Sequence, residues 1–184
     1  MKIIKTGLQG LLVIEPRVFE DNRGYFFECY NQKAFLDAGI TTTFVQDNQS
    51  RSSYGVIRGL HYQLPPHAQA KLIRVFTGKI YDVALDLRRN SPTFKKWFGI
   101  EISAENRRQM LVPRGFAHGF AVLSETAEVF YKCDALYEPS FERGIKYDDP
   151  ELAIDWHVPP QDALISTKDN ANPIFSKAEF AFSL

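Results

Sequence analysis

The chain has 184 residues, enough for one domain with a sizeable core. Lys and Arg number 22 and are balanced by 22 Asp and Glu, with no basic block, which argues against nucleic-acid binding and leaves a small anionic ligand open. No apolar run is long enough to span a bilayer, and the opening residues Met1–Thr6 lack the apolar stretch of a secretory signal, so a cytoplasmic protein without membrane attachment is expected.

Leu11–Glu15 reads as a strand, followed by a turn at Asp21-Asn22-Arg23-Gly24 and a second strand over Tyr25–Tyr30. Asn31 is placed to cap a short helix through Ala38, with Gly39 stopping it. The spacing then predicts strands over Thr42–Gln46, Gly55–Gln63, Lys71–Phe76, Lys79–Leu87 and Lys96–Ile102. Met110–Val112, His118–Leu123 and Glu128–Asp134 follow, separated by Gly, Pro, Asn and Ser turns. Many short strands with little helix predict an all-β sandwich or barrel. Within Lys79–Leu87 one face is apolar and the other carries Asp82 and Asp86, so that face meets solvent or a polar cavity. From about residue 139 the pattern turns irregular, as expected of a C-terminal segment laid over the barrel of a single domain. In it, Ser166–Asn170 concentrates polar groups, as a solvated turn, a helix cap or a loop closing over a site.

The stretch Val56–Gln63 brings Arg58, His61 and Gln63 onto a strand. A His held on a barrel strand suits proton transfer near neutral pH, and it is equally the pattern of a structural, hydrogen-bonded His. His61, His67, His118 and His157 are the only histidines, and the position two after His61 is Gln63, so no paired-His metal signal is present. Cys29 and Cys133 form no close-spaced motif. A disulfide between them stays open, with buried thiols in a reducing compartment the expectation. Neither a Gly-rich phosphate loop nor a G-x-S-x-G elbow occurs. His and Tyr remain as acid–base candidates, with Arg and Lys as anion stabilisers. By itself Tyr131 reads as core.

Six blocks, taken together and in order, change this reading. They are Glu20–Glu28 (EDNRGYFFE), Phe44–Asn48 (FVQDN), Arg58–Gln63 (RGLHYQ), Ser91–Phe94 (SPTF), Pro113–Phe120 (PRGFAHGF) and Lys168-Asp169. On these residues the chain resembles the dTDP-4-dehydrorhamnose 3,5-epimerase family over nearly its whole length. The resemblance implies a cupin-type double-stranded β-helix, or jelly roll, with a few short helices. It further implies a homodimer, no metal or other cofactor, and a dTDP-linked 4-keto-6-deoxyhexose as substrate.

By that resemblance His61 is the base, Tyr131 the acid, Asp169 the partner of His61, and Lys71 a cation near the sugar's C4 oxygen. It also implies Arg58 and Arg23 for the diphosphate, and Glu28 with Gln46, Asp47 and Asn48 for the nucleotide. His118 falls at the sugar, Glu142 and Lys168 at further ligand positions, and Phe26 and Tyr137 against thymine. In the family the N-terminal segment reaches the neighbouring subunit, so Arg23, Phe26 and Glu28 are expected to serve the partner's site. The expected reaction inverts C3 and C5. The alternatives are a single-carbon epimerase of another deoxysugar pathway, a non-catalytic nucleotide-sugar-binding jelly roll and a metal-dependent cupin.

Overall fold

Alternation at a period of two lets a strand bury one side and expose the other, and two such sheets close over a shared interior. The computed structural model describes Met1 to Leu184. In chain order it contains β1 (Lys2–Lys5), β2 (Leu12–Glu15), the hairpin β3 (Phe19–Asp21) and β4 (Gly24–Phe26), and helix α1 (Gln32–Asp37). The strands β5 (Gln46–Ser53), β6 (Val56–Gln63), β7 (Lys71–Thr77) and β8 (Lys79–Asp86) follow. Then come β9 (Trp97–Ser103), β10 (Gln109–Val112), β11 (Phe116–Val122) and β12 (Thr126–Cys133). The chain ends with β13 (Glu142–Gly144), β14 (Leu164–Ile165) and the single-turn helix α2 (Thr167–Asn170), joined by irregular segments. One sheet has the order β1-β2-β10-β7-β12-β5; the other is β13-β6-β11-β8-β9, with β14 added in parallel to β6. This is the cupin-like jelly roll.

The interior between the sheets is apolar through most of its depth. Ile73, Val75, Met110 and Val129 of the first sheet meet Ile80, Ala84, Phe120 and Val122 of the second. The outer face of the second sheet is covered too. Ile57, Tyr62, Val83 and Leu85 pack under Ile145, Leu152, Trp156, Phe175 and Phe182 of the C-terminal segment. Burying each such side chain contributes about 1.5–3 kcal/mol. Covered on both sides, β8 and β11 have no solvent face.

That coverage decides the fate of the two acids in β8. Asp82 and Asp86 are both fully buried, so the solvent-facing option is wrong for each. Asp86 closes the strand end in a tight network. Its carboxylate accepts from Arg88 Nε and Nη2 at 2.8 Å each, Ser91 Oγ at 2.6 Å and Thr93 Oγ1 at 2.7 Å. Burial raises its pKa, and these donors more than reverse that, leaving it below the ordinary carboxylate value. Asp82 instead points into the barrel.

The short strands β1, β3, β13 and β14 were not expected, and two predicted strands differ from the sequence reading. The segment 42–45 is not a strand despite its Thr, Phe and Val; β5 starts at Gln46 and its sequence, QDNQSRSS, has no apolar residue. Edge position explains this, since one face of β5 is exposed and the other lines a polar cavity. The strand predicted over Tyr25–Tyr30 stops at Phe26. Helix α1 forms as expected, with Asn31 Oδ1 accepting from the Ala34 N–H at 3.1 Å and Gly39 taking φ +80°. Both cysteines are free thiols.

Replacing Asp86 with Ala strands Arg88 in the interior. Unfolding in urea is expected to show a loss of about 3–5 kcal/mol near neutral pH. The deficit should narrow on acidification below about pH 4, where the native carboxylate also loses its charge.

Candidate active site

The local geometry of β6 decides which of its side chains enter the barrel. His61 lies opposite His118 on β11, and Arg58 opposite Phe120, so three residues of β6 span two of β11. This is a β-bulge at Gly59-Leu60. Without it, residues three apart would face opposite sides of the sheet. With it, Arg58 and His61 share the inner face. Glycine is required here, because a Cβ at Gly59 would stand 2.6 Å from Gly119 Cα. The simple alternation read from the sequence misses this extra residue.

The facing sheet supplies the other groups by ordinary alternation. On β12, Tyr131 and Cys133 point inward, opposite Asn48 and Gln46 of β5. Cys133 is also opposite Lys71 on β7, so Lys71 and Tyr131 are near neighbours. The Lys71 ammonium sits 5.6 Å from the centre of the Tyr131 ring. His61 from one sheet and Lys71 and Tyr131 from the other line one cavity of about 280 Å³ at the polar end of the barrel.

His61 Nε2 is 2.6 Å from Asp169 Oδ1. The His61 side chain is 29% exposed and that of Asp169 only 5%, so the imidazole is reachable while its partner is sealed behind it. Asp169 arrives from α2, the polar cluster at Ser166–Asn170. Ser166 Oγ caps this turn by accepting from the Asp169 N–H at 3.0 Å. The Gly59 N–H donates to the second carboxylate oxygen at 3.3 Å. Burial opposes ionisation of Asp169, yet the contact with His61 and these donors hold its pKa below the usual carboxylate range. Burial pushes the Tyr131 phenol up, with Cys133 and Glu142 adding to it, so it stays protonated at neutral pH. Burial pulls the Lys71 ammonium down, against the pull of Cys133, Glu142 and Asp82.

The remaining candidates divide. Gln46, Asn48, Tyr137 and Glu142 line the same cavity. Glu142 Oε2 accepts from Tyr137 at 2.6 Å and Lys168 Nζ at 2.5 Å, tying Lys168 to the rim. Arg58 and Lys168 line a second cavity of about 680 Å³, with His61 and Asp169 common to its wall. His61 therefore stands between the two spaces. Asp47 is on the outer face of β5, 2.8 Å from Lys132 Nζ. His118 is buried beside the cavity floor, with Nε2 at 2.7 Å from Asp82 Oδ1. Arg23 and Phe26 are on the exposed β3–β4 hairpin and Glu28 follows it; none lines the space shared by His61 and Tyr131. Gln63 and Gln69 also line the cavity and were not among the candidates. Gln63 was legible as the residue two after His61. Gln69 sits in a loop with no periodic signal. No three His, Cys, Asp or Glu side chains converge as a metal-ligand set.

The family model for dTDP-4-dehydrorhamnose 3,5-epimerase matches residues 5–177. The chain belongs to the dTDP-4-dehydrorhamnose 3,5-epimerase family. Its resemblance to a 3,5-epimerase of Pseudomonas aeruginosa is 54% identity over 181 residues, 97% of this chain and 98% of that one. The crystal structure of the 3,5-epimerase from Elizabethkingia anophelis is 55% identical with a TM-score of 0.92, covering 96% of this chain and 97% of that one. A Legionella pneumophila epimerase crystallised with dTDP-4-keto-L-rhamnose is 47% identical with a TM-score of 0.91, covering 96% and 93%. Like this epimerase-family barrel, both solved relatives align along almost the entire fold.

Asp169→Asn keeps the shape of the pair and removes its charge. Turnover is expected to fall by on the order of 10²–10⁴-fold with little change in KM. Thermal unfolding should show the native protein more stable at about pH 6, with the margin lost as pH falls below about 4, because the depressed carboxylate stabilises only while ionised.

Proposed function

We propose that this protein inverts C3 and C5 of dTDP-4-keto-6-deoxy-D-glucose to give dTDP-4-keto-L-rhamnose, by acid–base chemistry alone. The observation that carries this reading is the convergence of His61, Tyr131 and Lys71 on one cavity from opposing sheets, with Asp169 2.6 Å behind the imidazole. A ketone at C4 acidifies the C–H bonds at C3 and C5. His61 removes one of these protons, and the electron pair moves onto the C4 oxygen. The resulting enolate is stabilised by the Lys71 ammonium, in a water-poor site where such charge stabilisation usually lowers the barrier more than any other single effect. Tyr131 returns a proton to the opposite face of the same carbon. The imidazolium and phenolate then exchange protons with solvent, restoring both groups. Asp169 fixes the imidazole tautomer and favours the imidazolium.

The second cavity suits the rest of the substrate. Arg58 presents a planar fork for diphosphate oxygens, and Lys168 adds a second cation at the same wall. Gln46, Asn48 and Tyr137 offer polar and stacking surface for the nucleoside. The exposed hairpin, with Phe26 66% exposed and Arg23 beside it, fits an arm that completes the site of a second copy in a homodimer. We assign the whole chain to one epimerase domain. Two free thiols are consistent with action in the cytoplasm.

In deuterated water, native protein should place label at both C3 and C5, and coupling to a 4-keto reductase should yield the L-rhamnose nucleotide. Label at one carbon only would make this a single-carbon epimerase. His61→Ala should slow exchange by on the order of 10²–10⁴-fold; exchange at the native rate would leave a binding protein. Mixing inactive Arg23→Ala and His61→Ala proteins should restore activity that neither has alone, because one hybrid site regains both groups. No recovery, with dimers verified by light scattering, would confine Arg23 to its own chain.

A further inference from the structure

The segment that carries Tyr137 has no regular structure of its own and little to bury. It runs from Ala135 to Glu138, between β12 and the turn at Pro139–Phe141. Leu136 is 66% exposed and Tyr137 49%, so apolar burial does not fix it. Backbone polar groups outside helices and sheets still need partners, and where they find them decides how such a segment lies. Here the partners are the side-chain amides of three glutamines.

Gln63 makes the most of these contacts. It lies two residues after His61 on β6, hence on the same inner face, and it is buried. Its Nε2 donates to the carbonyls of His67 at 2.7 Å and Leu136 at 3.3 Å, and its Oε1 accepts from the Glu138 N–H at 2.8 Å. Gln69 Nε2 donates to the Ala135 carbonyl at 2.8 Å. Gln46 Oε1 accepts from the Tyr137 N–H at 2.9 Å. Every residue from Ala135 to Glu138 is thus held through a backbone group. All three glutamines line the cavity with His61, Lys71, Tyr131 and Tyr137. A side-chain amide offers two N–H donors and a carbonyl acceptor from one uncharged end. A carboxylate lacks the donors and a thioether lacks nearly all of this capacity, so the chemistry at position 63 is specific.

We propose that Gln63, seconded by Gln69, is a positioning residue that acts through Tyr137: the glutamine amides fix the course of residues 135–138 and so set where the Tyr137 ring stands in the cavity wall before a nucleotide arrives. The far end of that ring is held as well, with the Tyr137 hydroxyl donating to Glu142 Oε2 at 2.6 Å. A side chain ordered in advance loses less freedom on binding, which strengthens the complex. This rests on the reading that Tyr137 meets the nucleoside. It adds the groups that hold the tyrosine ready.

Gln63→Met keeps the approximate volume and removes all three hydrogen bonds. Affinity for dTDP, measured by calorimetry, is expected to fall about tenfold, with KM rising in step and kcat within about threefold. A merely structural loss would lower the active fraction, which reduces kcat and leaves KM alone. In a Tyr137→Ala background the same substitution should weaken dTDP by less than about twofold, because the ring it positions is gone. Gln69→Met removes a single contact at a half-buried residue and should weaken dTDP about threefold, which keeps the test decisive if Gln63→Met does not fold. Native affinity in either variant, or an equal loss in the Tyr137→Ala background, overturns the proposal. Amide hydrogen exchange tests the clamp without nucleotide. The Glu138 N–H should be protected in the native protein and exchange at least about tenfold faster in Gln63→Met. Exchange at the rate of an unfolded chain in the native protein also overturns it. That measurement needs neither binding nor turnover, so its failure is distinct from a failure to epimerise.

Discussion

The convergence of groups from two facing sheets on one cavity is the constraint on which the other features depend. An imidazole, a phenol and an ammonium share a cavity whose floor is the apolar interior of the jelly roll. Burial strengthens each fixed charge and penalises each unpaired one. Several polar groups at the site are matched. Asp169 backs His61, Glu142 binds Tyr137 and Lys168, and Gln63 is satisfied through the His67 and Leu136 carbonyls and the Glu138 N–H.

The two sheets play unequal parts. The sheet bearing β6, β11 and β8 is packed on both faces and so is stiff, and it holds His61 and the Asp82–His118 pair. The other sheet is covered on its outer face at Ile14, Leu72 and Leu111, under Phe35 of α1, and supplies Tyr131, Lys71 and the amides of Gln46 and Asn48. In the proposed reaction, proton removal and proton return originate on separate scaffolds facing one another. That is the arrangement an inversion of configuration demands, because base and acid must approach one carbon from different sides.

Much of this was legible in the sequence. Strand alternation located β6 to β12 to within a few residues, the Asn31 and Gly39 signals bounded α1, and the irregular composition after residue 139 marked the covering segment. The ordered motifs pointed to His61, Tyr131, Lys71 and Asp169, which the fold gathers from four separate stretches. Other features are invisible to local pattern. A bulge shifts side-chain parity by one, so Arg58 and His61 read as facing apart until the register is known. Strand β5 has no apolar residue to announce it, and Asp47 faces outward because parity there is set by pairing with Lys132. The burial of Asp82 depends on the two sheets closing over one another, a contact between residues far apart in sequence.

The carboxylate behind the His61 imidazole comes from α2, which begins at Thr167, well beyond the barrel strands in sequence. The same C-terminal segment that seals the outer sheet brings in Asp169. Loss of only the residues after Asn170 would spare that acid yet strip Phe175 and Phe182 from the seal. Covering of the outer sheet and placement of the carboxylate behind His61 thus come from one continuous segment.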